Sequence, residues 1–175
     1  QGPSHYGFQK NPIYDRFIDV SSKFFGSEMI ISYPSGYLGN SIALRALRDE
    51  YDIIFYDHET HYSMRDAIQL SGKKAVQFNH LNPDDLRKKI SDNLTANQIP
   101  LIASDGVFPV TGKIAPLPQY LEIIQKTPGG LIYIDDSHGT GVLGDHGRGT
   151  FEYLNLKSPN LYFSGTMSKG IGSHG

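Results

Sequence analysis

The chain has 175 residues, a formal net charge of −2 and 38% hydrophobic residues, a composition typical of globular proteins that fold in water. No block of basic residues indicates binding to nucleic acid or to an anionic membrane, and no apolar run approaches the ~20 residues that span a bilayer. Because cysteine is absent, disulfides and cysteine-based zinc sites are excluded, and we expect a cytoplasmic protein.

The first predicted element is an amphipathic helix. Asn11 and Pro12 form a favourable helix start, with the asparagine as N-cap and the proline in the first helical position. Gly26 follows as the residue that ends the helix. Apolar side chains recur between them at helical spacing, at Ile13, Phe17, Val20 and Phe24.

A short apolar run follows, and then a glycine-bearing loop and a second helix. Met29 to Ile31 predicts a strand, Pro34 to Gly36 predicts a loop, and the helix begins at about Tyr37. Free backbone N–H groups at the start of such a helix suit the binding of a phosphate group. An ordinary strand-to-helix turn has the same local pattern, so the local sequence leaves both interpretations open.

Two histidines follow the next predicted strand. That strand covers Asp52 to Tyr56, and the loop DHETHYS after it carries His58 and His61. The two histidines are three residues apart rather than the four of the HExxH zinc helix, and the loop offers no third ligand. We therefore predict no metal site, and we interpret His58 as a solvent-exposed loop residue.

The middle of the chain predicts scaffold. A strand at Ala75 to Phe78 precedes a helix that opens at Asn82-Pro83, and two acidic residues in its first turn favour the helix dipole. Another strand, Pro100 to Ala103, runs into a turn that contains Asp105. We assign no chemistry to the first strand and its helix, and we expect Asp105 to orient neighbouring groups.

Two predicted buried strands near the end of the chain are each followed by a glycine-rich turn that carries polar residues. Leu131 to Ile134 ends in the turn that carries Asp135 and His138, and Leu161 to Phe163 ends in the turn that carries Lys169. Ligand crevices in open α/β sheets form at the carboxyl ends of strands, so we expect these three side chains to converge. An acid, an imidazole and a lysine suit pyridoxal phosphate, which a lysine amine holds as a Schiff base while a carboxylate keeps the ring nitrogen protonated.

The same region offers a rival pattern for dinucleotide binding. The spacing GxGxxG occurs twice after a strand, at Gly139, Gly141 and Gly144 and again at Gly170, Gly172 and Gly175. The dinucleotide fingerprint also needs an acidic residue about 20 positions later, where this chain has Ser164 and Gly165. We therefore rank a dehydrogenase below a pyridoxal-phosphate enzyme, and no GxxxxGK[ST] motif supports a P-loop.

Five motifs in register resemble the α-oxoamine synthases of the fold-type-I pyridoxal-phosphate enzymes, closest to their ketobutyrate ligase and oxononanoate synthase branch. The motifs are SGYLGN, DHETHYS, SDGVFPVTGKIAPL, DDSHGTGVLGDHGRG and GTMSKG. Alternating strand and helix patterns favour an α/β fold directly. The resemblance implies the fold-type-I aminotransferase-like large domain, a mostly parallel seven-stranded sheet between helices. We expect residues 1–175 to form this domain incompletely, without the N-terminal segment and C-terminal domain of the family.

The resemblance also implies a role for each matched residue. Lys169 would hold the cofactor and act as general base, Asp135 would pair with the ring nitrogen, and His61 would lie against the ring. These three are the expected catalytic residues. His138 would donate to the phenolic oxygen of the ring. The phosphate would be bound by Gly36, Tyr37 and Thr166.

Two positions depart from the family pattern. Tyr62 stands where the family usually has alanine, which makes the wall of the pocket bulkier. Pro109 stands where a serine commonly touches the cofactor, and proline cannot donate that hydrogen bond.

The activity that the resemblance implies is the condensation of a small amino acid with an acyl-CoA, in a homodimer with shared active sites. An aminotransferase or another fold-type-I lyase would use the same lysine and aspartate. A non-catalytic domain that keeps the cofactor lysine is the third interpretation.

Overall fold

A computed structural model describes residues 12–173, which fall into two compact units, one ending at Pro34 and one beginning at Ser35. Within residues 12–173, no helix is long and apolar enough to cross a membrane. The predicted N-cap Asn11 lies outside the described residues.

In the first unit, the described residues form one helix, α1, at Pro12–Phe25. The helix ends as predicted at Gly26, whose φ of 64° is a left-handed conformation that glycine adopts readily. Two of its regularly spaced apolar side chains are at the surface, since Ile13 is 82% exposed and Val20 is 55% exposed. The predicted strand at residues 29–31 is wrong, because a strand needs a hydrogen-bonded partner and none of the described strands pairs with these residues.

The second unit is built around a parallel sheet that contains five strands in the described part of the chain. They are β1 (Ile53–Asp57), β2 (Lys74–Phe78), β3 (Pro100–Asp105), β4 (Leu131–Asp135) and β5 (Leu161–Ser164). Their order in the sheet is β2-β1-β3-β4-β5. Every residue of β3 and β4 is buried, as expected of central strands in a parallel sheet. The α/β fold with a parallel sheet is therefore confirmed, with five strands described where seven were expected.

Helices occupy the connections of the second unit. They are α2 (Gly36–Ala46), α3 (Tyr62–Ser71), α4 (Pro83–Asn93), α5 (Leu117–Gln125) and α6 (Thr150–Tyr153), and a 3-10 turn lies at Arg48–Glu50. The sequence predicts α2 and α4, and the side chain of Asn82 caps α4 by accepting from the backbone N–H of Asp85 over 2.9 Å. It does not predict α3, α5 or α6.

Alternation along the strands divides the core into two apolar clusters, one on each face of the sheet. In β4, Ile132 and Ile134 pack in the cluster that contains residues of α4 and α5. Leu131 and Tyr133 pack in the other cluster, with residues of α2 and α3. Asp135 continues this second series, so its side chain is directed to the side of the sheet that α2 and α3 cover.

Candidate active site

Polar residues end three neighbouring strands at the carboxyl edge of the sheet. Asp105 of β3 is in register with Asp135 of β4, which is in register with Ser164 of β5, and all three are buried. The loops that follow β4 and β5 carry His138 and Lys169. Because all these strands are parallel, their polar ends and loops form one site at this edge.

The carboxylate of Asp135 is held at both oxygens. The side-chain amide of Asn40 donates to Oδ2 over 2.7 Å, and the backbone N–H of Ser137 donates to Oδ1 over 3.1 Å. The aspartate is only 6% exposed. A negative charge is thereby fixed in one direction at the carboxyl edge of the sheet.

Lys169 and His138 meet across the two loops. Lys169 Nζ lies 2.8 Å from His138 Nε2. Two glycines permit this contact by letting the loop backbones touch. A Cβ on Gly141 would lie 2.8 Å from the carbonyl carbon of Gly170, and one on Gly170 would lie 2.5 Å from the carbonyl oxygen of Thr140. Gly141 also has a φ of +80°, which side-chain-bearing residues rarely adopt.

Both histidines of the site stay neutral at pH 7. Burial lowers the pKa of His138 from its ordinary value of 6.5, and the positive charge of Lys169 lowers it further. Burial likewise lowers the pKa of His61, with the charge of Asp135 opposing the change and that of Lys169 adding to it. The site therefore presents two uncharged imidazoles beside one lysine and one carboxylate.

Asp105 orients the loop that carries His61. Its Oδ2 accepts from the hydroxyl of Thr60 over 2.6 Å and from the backbone N–H of His61 over 2.9 Å. Burial raises the pKa of Asp105 to about 6, against the opposite effect of these two hydrogen bonds. His61 is also the N-cap of α3, because its Nδ1 accepts from the backbone N–H of Ser63 over 3.3 Å.

The start of α2 is suited to an anion. No side chain caps this helix end, and no acidic residue lies in its first turn, so the first N–H groups, including those of Gly36 and Tyr37, lack intrahelical partners. Gly36 lies against Thr166, since a Cβ at Gly36 would be 3.3 Å from Thr166 Oγ1. The hydroxyl of Thr166 is within 2.8 Å of Ser168 Oγ. The free N–H groups at the start of α2 thus lie next to two hydroxyl groups of the loop that carries Lys169.

The two departures from the family pattern lie at the surface. Tyr62 is 62% exposed, and its ring centroid is 3.9 Å from that of His61 and 5.6 Å from that of Tyr37. The hydroxyl of Tyr37 donates to Asp66. Pro109 is exposed. Tyr62 therefore forms an aromatic rim next to His61.

The structure places the seven predicted site residues in two adjoining groups. Asp135, His138, His61 and Lys169 lie around the ends of β4 and β5, and the predicted phosphate ligands lie around the start of α2. Sequence reasoning missed Asn40, which holds Asp135, although Asn40 is the last letter of the SGYLGN motif.

A metal-binding cluster does not occur in residues 12–173, where no group of three or more histidine or acidic residues could hold an ion. His58 is exposed, and its backbone carbonyl accepts from Arg65. The histidines of DHETHYS thus have different surroundings, with His61 in the site and His58 at the surface.

The whole chain is similar to one large family of enzymes. Residues 2–175 match the family described as aminotransferase class I and II. The 8-amino-7-oxononanoate synthase of Alkaliphilus metalliredigens (strain QYMF) is 35% identical over 160 residues, which is 91% of this chain and 40% of that enzyme. The chain spans about two fifths of the length of the curated relatives it matches.

Solved structures of similar sequence share the fold. The serine palmitoyltransferase of Sphingomonas wittichii has a TM-score of 0.88 at 30% identity, over 98% of this chain and 42% of that one. A high-resolution structure of serine palmitoyltransferase (SPT) with its pyridoxal phosphate internal aldimine has a TM-score of 0.88 at 25% identity, with the same coverage. The family match over residues 2–175 includes both loops that carry His138 and Lys169.

Proposed function

The chain belongs to the aminotransferase class I and II family, and we propose that it is the pyridoxal-phosphate-binding part of an enzyme that condenses a small amino acid with an acyl-CoA. The resemblance to α-oxoamine synthases is confirmed by the similarity to 8-amino-7-oxononanoate synthase and serine palmitoyltransferase. The observation that carries the proposal is the convergence of Asp135, His138 and Lys169, with 2.8 Å between the lysine and imidazole nitrogens.

The residues present fit pyridoxal phosphate. The uncapped start of α2 and the hydroxyl of Thr166 suit its phosphate, and the buried carboxylate of Asp135 suits its ring nitrogen. When bound, the cofactor supplies an electron-withdrawing ring that makes the α-proton of an amino acid acidic. Lys169 holds the cofactor through Nζ, in this proposal, and Gly36 and Tyr37 donate backbone hydrogen bonds to the phosphate.

Asp135 supplies a fixed negative charge to the ring nitrogen. Because Asn40 and the backbone of Ser137 hold both of its oxygens, the carboxylate does not have to reorganise when a positive charge approaches. A proton on the ring nitrogen is then favoured, since an opposite charge nearby stabilises the protonated form.

Lys169 moves the proton at the α-carbon of the amino acid. Once the amino group of the substrate has displaced Nζ from the cofactor, the released amine would act as the general base. The imidazole of His138 lies 2.8 Å from Nζ and has a lowered pKa, so it is neutral at pH 7 and can hydrogen-bond to Nζ without repelling it. His138 would donate to the phenolic oxygen of the bound ring. His61, whose pKa burial lowers, would lie against the ring and add no charge to it.

The substrates and the assembly are part of the proposal. The relatives that support it are named for 8-amino-7-oxononanoate and for palmitoyl transfer to serine, which favours a small amino acid and an acyl thioester as substrates. We also propose a cytoplasmic homodimer with shared active sites. The family description favours an aminotransferase as the second candidate.

A thiol-release assay tests the condensation. Full-length protein is incubated with pyridoxal phosphate, an acyl-CoA and glycine, alanine or serine, and free CoA is measured. Release that needs both substrates and is lost in Lys169→Ala supports the proposal. The absence of release with every pair of substrates contradicts it, and transfer of the amino group to a keto acid instead identifies an aminotransferase.

A further inference from the structure

A buried asparagine joins three elements of the site. Asn40 lies in the second turn of α2 and has no exposed surface. Its Nδ2 donates to Asp135 Oδ2 over 2.7 Å and to Ser63 Oγ over 3.0 Å. Its Oδ1 accepts from the hydroxyl of Tyr133 over 2.8 Å and from that of Ser164 over 3.2 Å. An amide side chain has two N–H donors and an oxygen with two lone pairs, so every hydrogen-bonding position of Asn40 is used.

The orientation of this amide follows from its partners. A carboxylate only accepts hydrogen bonds, so Nδ2 of Asn40 has to face Asp135. With the amide fixed in this way, the hydroxyls of Tyr133 and Ser164 donate to Oδ1 of Asn40. A turned amide would place its oxygen against the carboxylate and would lose the 2.7 Å hydrogen bond to Asp135.

The same contacts reach His61 through Ser63. Because Ser63 Oγ accepts from Asn40, its O–H remains to donate to His61 Nδ1, which is 2.7 Å away. The backbone N–H of Ser63, which can only donate, also faces Nδ1 over 3.3 Å. Nδ1 is therefore an acceptor, and the proton of the neutral imidazole lies on Nε2.

We propose that Asn40 is a positioning residue, which directs the carboxylate of Asp135 and, through Ser63, holds His61 as the Nε2–H tautomer. This inference rests on the proposed function, because Asp135 and His61 are the side chains that face the cofactor ring. A single hydrogen-bonded chain, Asp135–Asn40–Ser63–His61, then sets the geometry on the edge and on the face of that ring.

A purely structural role for Asn40 makes a different prediction. An asparagine that only fills the interface between α2 and the sheet would affect the stability of the fold, and nothing else. A positioning residue also affects the affinity for the cofactor and kcat, with little change in KM for the amino acid. The two roles are separated by comparing Asn40 with another buried hydrogen bond of the same helix.

The experiment uses full-length protein and three variants. Asn40→Leu keeps the size of the side chain and removes all its hydrogen bonds, and Ser63→Ala removes only the hydroxyl link to His61. Tyr51→Phe is the matched control, since the buried hydroxyl of Tyr51 donates to the backbone oxygen of Leu44 in α2 over 2.9 Å and has no contact with Asp135 or His61. The measurements are Tm, the Kd for pyridoxal phosphate, kcat and KM, and side-chain ¹⁵N NMR of the histidines without cofactor, assigned with His61→Gln.

The expected results separate the variants. Asn40→Leu raises the Kd and lowers kcat by roughly 10- to 100-fold, as for loss of a hydrogen bond to a charged group. Ser63→Ala leaves only the longer backbone N–H contact of 3.3 Å at His61 Nδ1, so the share of the Nδ1–H tautomer should rise. Tyr51→Phe lowers Tm alone. A folded Asn40→Leu with the wild-type Kd and kcat overturns the proposal, and so does a proton on Nδ1 of wild-type His61.

A second variant covers the case in which Asn40→Leu does not fold. Tyr133→Phe combined with Ser164→Ala leaves Asn40 in place but removes the two hydroxyls that hold its Oδ1. The amide is then less firmly held against Asp135, so kcat should fall several-fold, and an unchanged kcat overturns the proposal. If wild-type protein does not bind pyridoxal phosphate, the proposed function fails. The spectrum of His61 without cofactor still decides whether the hydrogen-bonded chain exists.

Discussion

Replacing Asp105 with asparagine should change how the stability of the fold depends on pH. Asp105 is buried at the end of β3 and accepts hydrogen bonds from the Thr60 hydroxyl and the His61 backbone N–H. An asparagine oxygen can accept the same two hydrogen bonds, so the substitution removes the ionisable group and keeps the contacts. The difference between wild-type protein and Asp105→Asn then reports the cost of burying this charge.

The magnitude follows from the pKa of Asp105. Burial raises it from 3.8 to about 6, and the hydrogen bonds from Thr60 and His61 reduce this effect without cancelling it. The folded state therefore binds the proton more tightly than the unfolded state, and the stability falls as pH rises through this range. The cost to folding is ~1.6 kcal/mol at pH 5 and ~3 kcal/mol at pH 8, so ~1.4 kcal/mol develops between the two.

Urea unfolding of both proteins at pH 5 and pH 8 measures this difference. Asp105→Asn should gain ~1.4 kcal/mol of unfolding free energy relative to wild type on going from pH 5 to pH 8. Asp92→Asn, at an exposed aspartate of α4, controls for the loss of one negative charge. A difference between wild type and Asp105→Asn that stays constant from pH 5 to pH 8 would refute the reasoning that burial outweighs the two hydrogen bonds.

Three further predictions concern the site. Borohydride reduction with pyridoxal phosphate should attach the cofactor covalently to Lys169, so a peptide map of Lys169→Ala should show no labelled peptide. The exposed control Lys157→Ala should be labelled as wild-type protein is. Asp135→Asn should still be labelled, but its kcat should fall roughly 10²-fold or more, because a neutral amide does not stabilise a protonated ring nitrogen; an undiminished kcat would contradict this role. Gly141→Ala should lower the unfolding free energy by about 1–3 kcal/mol in urea, because its φ is +80° and a Cβ would meet the backbone of Gly170; wild-type stability would show that the loops adjust freely.

Much of the fold was predictable because parallel strands have a simple sequence pattern. Short apolar runs predict β1 to β5 to within a residue or two, most simply for β3 and β4, which are buried throughout. The end of α1 at Gly26 follows from a local rule of the same kind. The convergence of Asp135, His138 and Lys169 was also predictable, because parallel strands bring their carboxyl ends to one edge.

The errors occur where local sequence does not determine the partner. Residues 29–31 have the apolar sequence of a strand, but hydrogen bonding to a neighbouring strand decides whether a strand forms. The apolar spacing of α1 predicts the helix correctly, but spacing does not show what covers the apolar face, and Ile13 and Val20 are exposed. Asn40 was missed for a related reason: its partner Asp135 is 95 residues away in the chain, and a single asparagine in a helix has no periodic pattern.

Strand alternation explains why the first acid of the DDSH motif, and not the second, faces the site. Asp135 follows Leu131 and Tyr133 on the side of α2 and α3, whereas Asp136 is the first residue after β4. Asp136 accepts from the backbone N–H of Thr150 over 2.7 Å, and burial raises its pKa to about 7. A Cβ on Gly139 would lie 2.2 Å from its Oδ1, so the glycine turn closes around this carboxyl group. Asp136 is therefore enclosed by its own turn, which supports the assignment of the ring-nitrogen contact to Asp135.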